Sequence, residues 1–242
     1  LARVCDRLEI RLAELLYQSR GQVSSTLAEV AELSRLVQAN HSVLNEAILS
    51  GRIKSKPLSA RMLSQLMPFL AKVLFSGTNI PELGRFRIGA ERVTVDSGRH
   101  AFEGSHPSTI EAGLDALMAE CIHMLRAKPG DIDHLANVLG YLLVGIFKIH
   151  PLSDGNGRIG RMILRLVASS EEFDLLPFKV GAGPKRAYLE ALRYAHRSRR
   201  STDKKRDGRL TPRDCMFMAK FIRKHLRSRV AVETEEIEPQ KS

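Results

Sequence analysis

Apolar residues recur along most of this chain with the spacing of a helix. Val4, Leu8, Leu12 and Leu15 fall on one helical face. Leu33, Leu36 and Val37 begin a second stripe that runs loosely through Val43, Leu44, Ala47 and Ile48 and stops near Gly51. Lys56-Pro57-Leu58-Ser59 predicts the opening of a third helix, with Met62, Leu63, Leu66, Met67 and Leu70 as its apolar positions and a bend or break at Pro68. The period changes after Gly77. From Arg85 to Gly98 apolar and polar residues alternate, and Phe86, Ile88, Val93 and Val95 predict two short strands around a turn at Gly89-Ala90-Glu91. Helices then resume. Ser105 to Thr109 starts one that carries Ile110, Leu114, Leu117 and Met118. Asp131 can cap a long helix with Leu135, Val138, Leu139, Leu142, Leu143 and Ile146 on one face. Its polar side is scant, which predicts a central position. Ile159, Met162, Ile163 and Leu166 form a further buried stripe, and Leu189, Leu192 and the Cys215 to Leu226 segment supply the last helices. The fold class expected is mainly α, a helical bundle with one short β-hairpin that must pack on the helices, because an isolated hairpin is marginal.

Composition narrows this picture. The 242 residues are 43% hydrophobic with no Trp, so aliphatic side chains must fill a sizeable core. The chain fits one large domain or a core with an extension. The longest unbroken apolar run, Leu142 to Phe147 with its flanks, is short for a membrane span, and no signal peptide is visible. The chain opens on Leu and not Met, which reads as a fragment and leaves room for a targeting signal ahead of it. Cys5, Cys121 and Cys215 are widely spaced and odd in number, so reduced, packed thiols are expected rather than a disulfide framework or a metal cluster. The compartment expected is a cytoplasm, the cell's own or that of a host into which the protein is delivered.

The net charge of +11 points to an anionic partner. The charge is uneven. Arg193, Arg197, Arg199, Arg200, Lys204, Lys205, Arg206 and Arg209 crowd one segment, against Asp203 and Asp207. Residues 231–242 turn acidic and are expected to be a disordered tail. Tyr194 is the only aromatic near the basic run and no recognised nucleic-acid motif accompanies it, so a solvated loop, or a surface for an acidic protein or a membrane, reads as well as nucleic acid.

The stretch with most chemistry is His150-Pro-Leu-Ser-Asp154-Gly-Asn-Gly-Arg158-Ile-Gly-Arg161. Pro151 disfavours helical geometry at His150, so the long helix should end there. Gly155-Asn156-Gly157 permits a tight turn, and a helix resumes near Arg158. Backbone N–H groups at such a helix start converge on one place where the dipole also favours negative charge. Arg158 and Arg161 are neighbours on the helix and suit phosphate oxygens. Asp154 could bind Mg²⁺ between two phosphates. His150 could serve as general base. Asp-Gly and Asn-Gly are also ordinary turn signals. Apolar helical flanks, where a hairpin needs alternating strands, weigh against a mere turn, as do the two arginines that follow.

At these residues the chain resembles the Fic family, whose motif is His-x-Phe-x-Asp/Glu-Gly-Asn-Gly-Arg-x-x-Arg. Seven defining positions match: His150, Asp154, Gly155, Asn156, Gly157, Arg158 and Arg161. Leu152 stands where Phe is usual and should anchor the loop in the core. The resemblance covers roughly residues 80 to 195, with Tyr188-Leu-Glu-Ala-Leu192 as a further match downstream. It implies a Fic-type bundle over 80–230, with a β-hairpin flap over about 84–96 and a helical extension over 1–79. It also implies transfer of a nucleoside monophosphate, most often AMP from ATP, to a Ser, Thr or Tyr hydroxyl of a target protein. On that reading His150 accepts the hydroxyl proton and Asp154 holds Mg²⁺. Gly155, Asn156 and Gly157 hold the α-phosphate, and Arg158 and Arg161 hold the outer phosphates. The flap, with Ile88 and Gly89, aligns the target, and the Tyr188 helix lies near the base.

Many Fic proteins carry an inhibitory Glu in a Ser/Thr-x-x-x-Glu-Gly/Asn segment, and Ser42-Val-Leu-Asn-Glu46-Ala47 is similar save at Ala47. An inhibitory helix over about 36–50, with Glu46 against Arg161, is therefore expected from the resemblance. UMP, GMP and phosphocholine transfer occur on the same scaffold, and the loop does not read the base. A binding module for nucleic acid or an acidic protein, with a vestigial loop, is the alternative. A small GTP-binding protein would suit the basic surface as target.

Overall fold

The computed structural model describes residues 27–50, 58–78, 80–89, 92–95, 100–178, 182–197 and 210–229. The first expected stripe, Val4 to Leu15, the middle of the basic run and the acidic residues 231–242 lie outside these. Among the described residues the chain forms seven helices. They are α1 (Leu27–Leu49), α2 (Met62–Leu74), α3 (Ile110–Ala127), α4 (Ile132–Ile149), α5 (Asn156–Ser170), α6 (Ala182–Arg197) and α7 (Met216–Arg223). Two small antiparallel ladders pair β1 (Arg92–Val95) with β2 (His100–Glu103) and β3 (Phe173–Leu175) with β4 (Leu226–Ser228).

The scant polar side of α4 does what the pattern predicts. It is the central helix, buried by α3, α5 and α7, and it hides Leu135, Val138, Leu139, Leu142, Leu143 and Ile146. Asp131 caps it, its Oδ1 accepting from the N–H groups of Asp133 and His134 at 2.9 Å each. By length and composition α4 could cross a membrane, although no single apolar run in it is that long; here its apolar face is buried by protein. Around it, α1 packs on α2 and α5, α2 on α3, and α6 on α7.

Three expectations change. First, α2 runs unbroken through Pro68. A proline costs one backbone hydrogen bond, but Leu63, Met67, Leu70, Ala71 and Leu74 form a continuous buried face that holds the helix together. Second, the hairpin sits further along the chain. Val93 pairs with Phe102 and Val95 with His100, so the paired strands are 92–95 and 100–103 and not the two sides of Gly89-Ala90-Glu91. The stretch expected as its first strand pairs elsewhere: Phe86 forms an isolated bridge to Leu152, and Arg87 N–H donates to Pro151 O at 3.0 Å. Alternation showed that residues 86–88 were extended but not which backbone would pair with them. Third, β3–β4 is a second ladder. Its strands are three residues each and lie about fifty residues apart, so no turn signal links them. Val43, counted with the α1 stripe, is exposed, while Val37, Leu44 and Ile48 are buried.

Helix α4 meets the backbone of α7 at Gly140. A Cβ there would lie 2.8 Å from the backbone nitrogen of Ala219 in α7 and 3.0 Å from its Cα. Backbone cannot yield as a side chain can. Gly140→Val should therefore destabilise the protein by about 1–3 kcal/mol, read as a fall of several degrees in thermal melting. An unchanged melting temperature would show that α4 and α7 are not so closely apposed.

Candidate functional site

The site is the reversal between α4 and α5. His150 ends α4 in the left-handed conformation, φ 50° and ψ 61°, while its N–H still donates to Ile146 O at 2.9 Å. That backbone is uncommon for a residue with a Cβ and costs on the order of 1 kcal/mol. It turns the histidine ring off the helix axis and towards the loop. Pro151 follows and prevents the helix from continuing. Leu152 is fully buried, as an anchor at that position should be. The chain swings back at Gly155, φ 82°, where a Cβ would also meet two ring atoms of Phe75 at 3.1 Å. Helix α5 begins immediately, and no side chain caps it. Its first N–H groups therefore face the space in front of the loop.

Asn156 locks this loop. Its Oδ1 accepts from Leu152 N–H at 3.0 Å and its Nδ2 donates to Leu152 O at 2.6 Å. That pair fixes which end of the amide is nitrogen. The same Nδ2 lies 3.2 Å from Nε2 of His150, so the ring must accept there. The neutral imidazole consequently carries its proton on Nδ1 and its lone pair on Nε2. Asn156 was expected to grip phosphate, but its side chain is buried and engaged within the loop at both ends. Only its backbone N–H is placed to meet an anion.

On α5, Arg158 is paired with Asp154 at 3.2 Å and stacks over Phe75, 5.6 Å from the ring centre. Burial pushes the Arg158 guanidinium down and Asp154 opposes that. The other oxygen of Asp154 accepts from Gly155 N–H at 2.6 Å. Arg161 folds back so that its Nη1 would lie 3.4 Å from a Cβ on Gly157, beside Phe147. Behind it stands Tyr188, in a cluster with Phe147, Phe178 and Phe221. Burial raises the Tyr188 hydroxyl, and the charge of Arg161 partly offsets it. Among the described residues no three His, Cys, Asp or Glu side chains gather into a metal cage. A single hard carboxylate sharing Mg²⁺ with phosphate oxygens and water is the usual arrangement for that ion, and Asp154 fits it.

Two features had no signal in the sequence. Arg87 is 3% exposed and reaches behind the loop. Its Nε donates to His150 O at 2.6 Å, its Nη1 to Gly89 O at 2.7 Å, and its Nη2 to Ile149 O at 3.3 Å and to Ser105 O. Ile88, next to it, is 77% exposed, and Gly89 is exposed too. The second feature is on α1. Ser42 and Glu46 are exposed, Ser42 donating to Gln38 O at 3.1 Å. The side chains of α1 turned towards the arginines are His41 and Asn45. Asn45 Oδ1 accepts from Arg165, and its Nδ2 lies 3.1 Å from His41 Nε2 and 3.2 Å from Nδ1. The α1 residue that faces Arg161 is therefore His41 and not the expected acid.

Burial first, and then Arg161, Arg158 and Arg165, lower the His41 pKa from 6.5 to about 4. Between those values the unfolded chain binds a proton that the folded chain does not. Stability contributed by the neutral ring is thus complete above pH 6.5 and erodes as the pH falls towards 4. Thermal melting should drop over that window, and His41→Gln should drop less; parallel profiles for the two proteins would contradict the assignment.

Residues 57–168 match the family model described as Fic/DOC family, a span that takes in α2 and the whole loop. No curated protein sequence matches the chain significantly. Among solved structures, the N-terminal Fic domain of a VirB-translocated effector from Bartonella quintana, with bound ADP, superposes with a TM-score of 0.61 at 12% identity, covering 88% of this chain and 92% of that one. BepC of Bartonella tribocorum, with bound AMPPNP, gives 0.53 at 15% identity, covering 81% and 88%. A Fic-domain signalling protein of Bacteroides thetaiotaomicron gives 0.53 at 16% identity, covering 91% and 79%. Members of the family typically transfer nucleotides or other groups onto proteins. The motif, the helical architecture and the family match agree: residues 57–168 match the Fic/DOC family, and the chain has the fold of the Fic domains it superposes on.

Proposed function

We propose that this chain transfers a nucleoside monophosphate, AMP from ATP, to a Ser, Thr or Tyr hydroxyl of a target protein. The observation that carries the reading is the lone pair of His150 Nε2, held by Asn156 beside the uncapped start of α5. A base and an anion cradle meet there within one loop. The ADP and AMPPNP bound in the two Bartonella structures support a nucleotide as substrate.

In this reaction the target hydroxyl displaces the Asn156 amide from Nε2 and gives that nitrogen its proton. The hydroxyl oxygen attacks the α-phosphorus. The bond from phosphorus to the bridging oxygen breaks, and pyrophosphate leaves. The N–H groups at the start of α5 meet the charge that develops on the α-phosphate oxygens. Asp154 would hold Mg²⁺, whose charge neutralises the α and β phosphates. Arg158 and Arg161 hold the departing pyrophosphate with their guanidinium forks. Exposed Ile88 and Gly89, tied to the loop through Arg87, offer the target segment an extended edge. A net charge of +11 suits an acidic target, for which a small GTP-binding protein qualifies.

Incubation with ATP labelled at the α-phosphate should label a protein target, and label at the γ-phosphate should not transfer. His150→Ala should lower the rate by about 10²–10⁴-fold. Transfer that survives His150→Ala would overturn this chemistry, and competition among unlabelled nucleotides would identify the base. For Glu46, the exposed position argues against inhibition, so Glu46→Gly should leave the rate unchanged. A large gain would restore it as an inhibitor.

A further inference from the structure

Helix α1 crosses α5 where three guanidinium groups, Arg158, Arg161 and Arg165, line one side of the helix. Among the described residues only Asp154 answers them with a carboxylate, and it pairs with Arg158. Arg161 and Arg165 have no acidic partner there. Arg165 instead donates to the amide oxygen of Asn45, whose nitrogen donates on to His41. A partly buried group of cations with so little counter-charge is unfavourable unless an anion completes it. The polar side chains that α1 contributes to this place are both able to bind phosphate.

From this arrangement we infer that α1 is part of the nucleotide site, with His41 and Asn45 as ligands of the terminal phosphates alongside Arg161 and Arg165. The inference rests on the nucleotide reading above and adds a helix to it. It assigns α1 a role in preferring a triphosphate over a monophosphate. In the structure His41 is an acceptor, taking its hydrogen bond from Asn45. The charged groups facing it are Arg158, Arg161 and Arg165 of α5, and its neighbour on α1 is the uncharged Asn45. A triphosphate brings several negative charges to the same place and reverses the balance. The ring then takes a proton and donates to a phosphate oxygen, and Asn45 is released to do the same.

The test is calorimetric titration of the full chain with a non-hydrolysable ATP analogue and with AMP. It is run near pH 6.5 in two buffers of different ionisation enthalpy. The native chain should take up a proton on binding the triphosphate and none on binding AMP. His41→Gln should abolish that uptake and weaken triphosphate binding about tenfold, with AMP affinity unchanged. Asn45→Ala should likewise weaken the triphosphate alone. Native triphosphate affinity and proton uptake in His41→Gln would overturn the inference and leave the proposed function standing. Equal loss of AMP and triphosphate in both variants would give α1 a purely structural role and overturn it too. A native chain that binds the triphosphate no better than AMP would overturn the proposed function together with it.

Discussion

Helix α4 ends inside the protein, and the carbonyls of its last turn must be satisfied there. Arg87 does this. A single buried guanidinium collects Ile149 O and His150 O from the helix end, Ser105 O from the approach to α3, and Gly89 O from its own segment. An unpaired carbonyl in that position would cost about 1–3 kcal/mol, and a charged donor does better than a neutral one. The same contacts hold His150 in its left-handed turn and tie the exposed Ile88-Gly89 segment to the loop that follows α4. Fold and site thus share one constraint: the central helix can stop at His150 because an arginine from another part of the chain closes its end.

The loop then works by division of labour. Asn156 spends its side chain on Leu152 and His150, which sets the tautomer and leaves backbone N–H groups for an anion. Gly155 admits Phe75, and Phe75 in turn supports Arg158. Arg161 is backed by the Tyr188 cluster. Among the described residues positive charge accumulates along α5 faster than carboxylates answer it, and α1 meets it with an uncharged histidine and an amide. That surplus is what a polyphosphate would complete.

Much of this was legible from residue order. The cap at Asp131, the stop at His150-Pro151, the glycine turn and the start of α5 all follow from local backbone preferences, and local preferences are written within a few residues. The same holds for the burial of α4, which its nearly unbroken apolar face announces. Pro68 misled because a local penalty was outweighed by a long buried stripe.

What the sequence by itself determined was therefore the mainly helical bundle and the loop from His150 to Arg161, with its base, carboxylate and arginines in order. Only the tertiary structure decided what meets that loop. Arg87, His41, Asn45 and Phe75 reach it from 63, 109, 105 and 80 residues before His150 or Gly155, and no periodicity records such an approach. The same is true of the strand at Phe86, which found the loop backbone instead of its neighbour, and of Glu46, which the chain's pattern could not place on the exposed side of α1. Pairing across distance depends on how whole helices pack, and that is settled by the core and not by the residues that end up touching.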